Sequence, residues 1–189
     1  MKGSLDTQKG PADAMTTAEP AAEETIRARR VTWADPVAVL QRAAGMSREE
    51  MLAALRSGEL PKPPIAELLG IDLVQVESGR AVFGFHPSEY HYNPVGGVAA
   101  GVAATVLDAA MWVAVQTSVP ETTIVSTVDL TLHFVAALSA DVGYVRAEAR
   151  AVHVGRRTGT AEARLVDESG RLYSHATAGF YCASFGTGS

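Results

Sequence analysis

H-Y-N-P-V-G-G-V-A-A-G-V-A-A-T-V-L-D-A-A-M-W-V-A-V-Q-T-S, residues 91–118, decides the reading of this chain. Between 98 and 115 the single charged side chain is Asp108, set among Ala, Val, Gly, Leu, Met, Thr and Trp. A helix apolar all round is either buried in protein or spans a membrane. This run is barely long enough to span, and an Asp at a bilayer centre costs about 2.5–3.5 kcal/mol. It therefore reads as a buried core helix. A carboxylate in its middle needs a partner, water or a substrate to offset desolvation. The loop before it, Asn93-Pro94-Val95-Gly96-Gly97, is rich in glycine and delivers exposed backbone N–H groups to the helix start. An anion-stabilising helix end followed by an acid two to three turns later makes a candidate active site.

Outward from this helix the hydrophobic period changes. Upstream, I-D-L-V-Q-V-E-S and R-A-V-F-G-F-H alternate in twos around Ser78-Gly79, the signature of a hairpin. Downstream come four more strand-like runs, 122–134, 143–154, 160–167 and 171–182, with turns at 138–141, 155–159 and 168–170. In the first of them Thr131 and His133 alternate with Leu130, Leu132 and Phe134, so the two sheet faces differ in character. Further back, Asp35-Pro36 offers an N-cap acid with proline at N1, and Ser47-Arg48-Glu49-Glu50 is a capping box for a second helix. Residues 65–69 add one more turn. The order is a helical leader, a hairpin, one long helix and a run of antiparallel strands. Burying that helix requires a sheet wrapped round it, an α+β fold. Such a sheet keeps open edges, so a homodimer is expected, assembling to a homotetramer.

Length and composition set the bounds. With 189 residues, 47% hydrophobic and 20% charged, the chain suits one globular domain. We divide it into a disordered tail at 1–24, a helical leader at 25–63 and the α+β domain at 64–185. A net charge of -5 argues against nucleic acid as partner, since phosphate binding needs a concentrated basic surface. The one cysteine, Cys182, excludes an intrachain disulfide, and no His/Cys spacing suggests a metal. The first 24 residues lack the apolar run of a secretory signal, so the cytoplasm is the expected location and no membrane partner is expected.

The residues from 93 to 108 resemble the entry to the central helix of the hotdog-fold thioesterases, specifically the phenylacetate-degradation type of acyl-CoA thioesterase. Asn93, Gly96, Gly101 and Asp108 fall on that family's pattern positions, and T-V-L-D at 105–108 stands where the family has T-L-L-D. T-V-D-L-T-L-H-F-V-A-A-L at 127–138 is similar to its second-strand signature. Residues 152–178, with a Gly-Arg turn, are similar to its last two strands. The resemblance runs from about 64 to 182. It implies a hotdog fold, an antiparallel sheet around one long helix, here with an N-terminal helical extension. It also implies hydrolysis of an acyl-CoA thioester with no metal or redox cofactor, coenzyme A entering as part of the substrate. Two positions depart from the pattern: Ala99 stands where the family has a His, and Ala100 where it has a Gly whose N–H polarises the thioester carbonyl.

The resemblance implies roles residue by residue. Asp108 is general base or nucleophile, and its residue type alone also suits a structural acid. Backbone N–H groups of Ala100 and Gly101 are the oxyanion donors, or the two are small residues that simply pack at the helix start, and Gly96 is a substrate-binding position on the loop before them. Asn93 holds the loop or contacts the thioester from a partner subunit; Thr127 orients the attacking water or is an ordinary interior strand threonine. His91 and Tyr92, on the entrance loop, line the acyl pocket or support the loop. Trp112 shapes the acyl end of the pocket or simply packs. Arg156 and Arg157 grip coenzyme A phosphates, as a guanidinium fork suits them, or are solvated turn residues. The missing His keeps a second reading open: a weakened hotdog protein that binds acyl-CoA, or acts as a structural module, without hydrolysing it.

Overall fold

A computed structural model describes residues 25–184. The expected disordered tail at 1–24 lies outside the described residues. Residues 25–30 carry neither helix nor strand.

The leader forms by local chemistry. Asp35 Oδ1 accepts from Val37 N and opens helix α1, Pro36–Ala43. Ser47 and Glu50 complete the capping box of α2, Arg48–Ser57: Glu50 N donates to Ser47 Oγ at 3.2 Å, and Ser47 N to Glu50 Oε2 at 2.7 Å. That backbone bond from Ser47 holds the Glu50 carboxyl below its ordinary range. Gly58, at φ +80°, ends the helix in the left-handed conformation a side chain would resist. A short third helix, α3, spans Pro64–Leu69.

Strands β1 (Asp72–Glu77) and β2 (Arg80–Phe85) form the expected hairpin, and α4 (Ala100–Gln116) is the long helix. Strands β3 (Thr123–Phe134), β4 (Val145–Val154), β5 (Thr158–Asp167) and β6 (Leu172–Ser184) follow. All pair antiparallel in one sheet of order β1-β2-β4-β5-β6-β3, with β1 and β3 at its edges. The β4–β5 turn is tighter than the expected 155–159, because Gly155 N already bonds Thr158 O and starts the next ladder.

The sheet curls round α4. Val106, Leu107, Ala110, Met111, Ala114 and Val115 are fully buried against Val145, Leu165 and Phe180. Alanines at 147, 149, 161, 163, 176 and 178 line the buried face of the strands, and their small side chains let a helix lie close. Gly159 marks the nearest approach: a Cβ there would stand 2.7 Å from Val115 Cγ1. Cys182 is buried in this core, which pushes its thiol up and leaves no accessible thiolate.

The leader covers an edge rather than standing free. Leu52 of α2 joins the core and Leu60 is buried, while α2 packs on β1. Arg48 fixes it to the loop after α4, donating to Val119 O at 2.5 Å and Pro120 O at 2.9 Å. No helix among the described residues is long and apolar enough to cross a membrane.

Candidate functional site

Asp108 lies near the middle of α4, half-buried rather than sealed in the core. Positions 101, 105, 108 and 112 recur every three to four residues and so share one helix face. That face is the incompletely covered one: Gly101 is exposed, and Thr105, Asp108 and Trp112 are half-buried. The stripe looks along β3, the free edge of the sheet.

Three polar rungs join the stripe to that strand. Thr127 Oγ1 donates to Asp108 Oδ1 at 2.9 Å. Trp112 Nε1 donates to Val125 O at 2.8 Å. Gln116 donates to Thr123 O at 2.8 Å and accepts from Val125 N at 3.1 Å. The rungs keep pace because four helical residues rise about 6 Å and two strand residues about 6.6 Å. An edge strand would otherwise leave these backbone groups to water, so the ladder both holds β3 to α4 and orients the carboxylate.

A bulge makes room for the first rung. The β3–β6 register slips between Thr127 and Asp129, leaving Val128 as the extra residue, 66% exposed. The slip keeps Thr127 facing α4 while Leu130, Leu132 and Phe134 face inward beyond it, opposite the buried Ala178, Ala176 and Ser174. Asp129 stabilises the slip by accepting from Gly179 N at 3.1 Å, and a Cβ on Gly179 would collide with its carboxylate. Sequence reasoning missed Gln116, Val128 and Asp129. A signal existed: alternation through Val125 and Thr127 changes phase before Leu130 and Leu132.

The second group of candidates gathers at the start of α4. Asn93 Oδ1 accepts from Val95 N at 3.0 Å and Gly97 N at 3.2 Å. Gly96 takes φ +83°, the value this turn requires. Ala99 N is bonded to His91 O, and no side chain caps the helix. The N–H groups of Ala100 and Gly101 thus stand at an uncapped positive helix end. Both residues are exposed, and a Cβ on Gly101 would meet nothing within 4 Å.

His91 and Tyr92 carry the loop. His91 is 3% exposed. Its Nδ1 accepts from Ser88 N, so the proton sits on Nε2, which donates to Leu69 O at 3.1 Å. Tyr92 Oη accepts from Ala140 N at 2.9 Å. The structure thus engages both residues in supporting the entrance loop.

Arg156 and Arg157 are exposed on the β4–β5 turn. Gly159 beside them pairs with Phe180, which pairs with Thr127, so the turn stands two strands from Thr127, roughly 10 Å.

Helix geometry keeps the two groups apart. Eight residues separate Ala100 from Asp108, about 12 Å along α4. A carbonyl held near 3 Å from its oxyanion donors cannot at once lie beside the carboxylate of the same chain. A hollow of about 450 Å³ between α2, the β1–β2 turn and the end of α4 is lined by Arg48, Leu52, Arg56, Glu77, Thr117 and Glu121 among others. Asp108 is not on its wall.

The profile of the thioesterase superfamily matches residues 96–174. The chain is 30% identical over 108 residues to a 1,4-dihydroxy-2-naphthoyl-CoA hydrolase of Listeria monocytogenes serotype 1/2a (strain 10403S), covering 57% of this chain and 86% of that protein. A phenylacetic acid degradation-related protein of Ralstonia eutropha JMP134 superposes with TM-score 0.61 at 27% identity, over 69% of this chain and 98% of the other. The E. coli PaaI protein superposes with TM-score 0.59 at 20% identity, over 66% and 86%, a likeness of fold alone.

Proposed function

Because the chain belongs to the thioesterase superfamily and has its hotdog fold, we propose that it hydrolyses the thioester of an acyl- or aryl-coenzyme A in a cleft shared by two copies. The observation that carries this reading is the half-buried Asp108 held by Thr127 on the open face of α4.

In one route Asp108 takes a proton from water, whose oxygen adds to the thioester carbon. In the other the carboxylate itself attacks, giving an anhydride that water then opens. Either way the carbonyl oxygen gains negative charge. The partner's helix start meets that charge through the N–H groups of Ala100 and Gly101, which need no rearrangement to do so. The alanine methyl does not remove the donor, so Ala100 serves where the family's pattern has Gly. The C–S bond then breaks and coenzyme A leaves as the thiolate, which takes up the proton that Asp108 removed from water in the first route, or the one released when water opens the anhydride in the second. Asn93, whose Oδ1 is occupied within the loop, is the further donor we assign, through Nδ2, to the same oxygen or to the thioester. Arg156 and Arg157 are the phosphate contacts we assign to the coenzyme. No metal or redox group enters the scheme.

The purified protein is expected to release free thiol from at least one member of a panel of acetyl-, octanoyl-, benzoyl- and phenylacetyl-CoA. Saturable binding of these esters with no thiol released would replace this reading by the other one, an acyl-CoA-binding hotdog protein. Ala99, standing where the family has His, favours that alternative.

Thr127 supplies the second expectation. Thr127→Val deletes the hydroxyl that donates to Asp108 and keeps the β-branched shape. We expect kcat to fall roughly three- to tenfold with KM changed less than about twofold, because the lost bond acts on the base rather than on the ligand. Thr127→Ser should retain most of the activity. Equal kinetics of all three proteins would remove Thr127 from the mechanism.

A further inference from the structure

The three rungs between β3 and α4 are unequally anchored. Thr123 and Val125 are tied to the helix through their backbones, by Gln116 and Trp112. Thr127 is tied through its hydroxyl, and it is exposed, so water competes for its bond to Asp108. That bond lasts only where the backbone holds the hydroxyl in place. Yet the backbone is least constrained at this point. β3 is an edge strand, Val128 has no partner on β6, and pairing resumes only at Asp129, opposite Gly179. A bulge of this kind interrupts the ladder and bends its strand.

A carboxylate closes the gap. Gly179 N donates to Asp129 Oδ1 at 3.1 Å, so a side chain of β3 supplies an acceptor where the two backbones slip out of step. The carboxylate also lies in the space that a Cβ on Gly179 would fill. Gly179 is not among the glycines with positive φ, so it serves here by leaving room rather than by its backbone freedom. Leu130, the next residue, faces inward opposite Ala178, which puts Asp129 on the outer face of the sheet, away from the α4 groove. Asp129 therefore does not meet the reacting atoms.

Resting on the thioester-hydrolysis reading above, we infer that Asp129 is a positioning residue: its latch on Gly179 fixes the Val128 bulge, the bulge fixes Thr127, and Thr127 holds the Asp108 carboxylate for reaction. The margin is small. The Thr127–Asp108 bond is 2.9 Å long, and a hydrogen bond is lost beyond about 3.5 Å. A shift of less than about 1 Å at Thr127 thus releases the carboxylate, and misplacements of that size are costly in catalysis.

Kinetics in two backgrounds test the chain of contacts. Asp129→Ala should lower kcat roughly three- to tenfold, as far as Thr127→Val does, with KM changed less than about twofold. Added to Thr127→Val, it should cost less than about twofold more, because the bond it protects is already gone. Asp129→Asn keeps an oxygen that accepts from Gly179 N and should retain most of the activity. Gly179→Ala sets a methyl where the carboxylate lies, so it should act like Asp129→Ala, yet be close to neutral once Asp129→Ala is present. It serves as the second variant should Asp129→Ala fail to fold. An aspartate that merely supported the sheet would cost the same factor with or without the Thr127 hydroxyl.

Thermal unfolding carries the same cycle without turnover. The drops in Tm from Thr127→Val and Asp129→Ala should together exceed the drop in the double variant. No thiol release by wild type would overturn the hydrolysis reading, with the unfolding cycle still deciding whether Asp129 holds Thr127. Equal kcat losses from Asp129→Ala in both backgrounds, or additive drops in Tm in a protein without turnover, would overturn the assignment of Asp129.

Discussion

Asp108→Asn is expected to fold as the wild type does and to lose at least about tenfold in kcat/KM, or roughly 1.4 kcal/mol of transition-state stabilisation. The two side chains have nearly the same shape. The amide oxygen still accepts from Thr127, as the carboxylate oxygen does now at 2.9 Å. Asp108 is half-buried and forms no ion pair among the described residues, so the exchange strands no buried charge. A surface-like substitution of this kind usually changes stability by less than about 0.5 kcal/mol. What the amide cannot do is accept a proton from water or attack a carbonyl. General-base contributions are typically about 10²–10⁴-fold, so tenfold is a lower bound. The checks are kcat/KM on the preferred acyl-CoA and a thermal unfolding curve for each protein. Near wild-type turnover would take Asp108 out of the mechanism, whichever of its two chemical roles is assumed.

Leu107→Ala should produce the largest loss of stability, although it lies next to Asp108 in sequence. Leu107 is 0% exposed and points into the sheet, whereas its neighbour faces the groove. Truncating a buried leucine removes transfer free energy and leaves a cavity, together costing about 2–5 kcal/mol. The surroundings are ill suited to collapse into it. Leu107 sits on a helix pressed against alanine-rich strands, with Val106 and Met111 also at 0% exposure. A single domain has about 5–15 kcal/mol to lose, so the variant would be near the edge of folding. Urea unfolding of both proteins measures the difference at unchanged slope. A cost below about 1 kcal/mol would mean that the helix is not enclosed by the sheet.

This pair of neighbours shows how far the chain could be read before folding. An acid in an otherwise apolar helix announces itself, and helical periodicity puts Asp108 and Leu107 on different faces. The helix starts at Asp35 and Ser47 were legible because a cap is a contact within three residues. The hairpin at Ser78-Gly79 followed from turn chemistry, and the strands from alternation. The site was legible only in part. The pattern singled out Asp108, Asn93, Gly101 and Thr127 as candidates, but their distribution into two groups about 12 Å apart is a consequence of helix rise.

His91 could have been a ligand contact or a prop. Only its bonds to Ser88 and Leu69 made it a prop, the second reaching back 22 residues. Arg48 looked like one more charge in a capping box until it met the carbonyls of Val119 and Pro120, more than 70 residues away.

The order of elements, the long apolar helix, its lone acid and the caps that bound the leader were determined by sequence alone. Each depends on periodicity or on chemistry between near neighbours, and neither needs the rest of the chain. The tertiary structure alone decided that Thr127, Val125 and Thr123 would meet Asp108, Trp112 and Gln116, and that Val128 would bulge. Those features arise from matching the rise of a helix to that of a strand across a folded loop. That match is a relation between elements, and no single stretch of residues contains it.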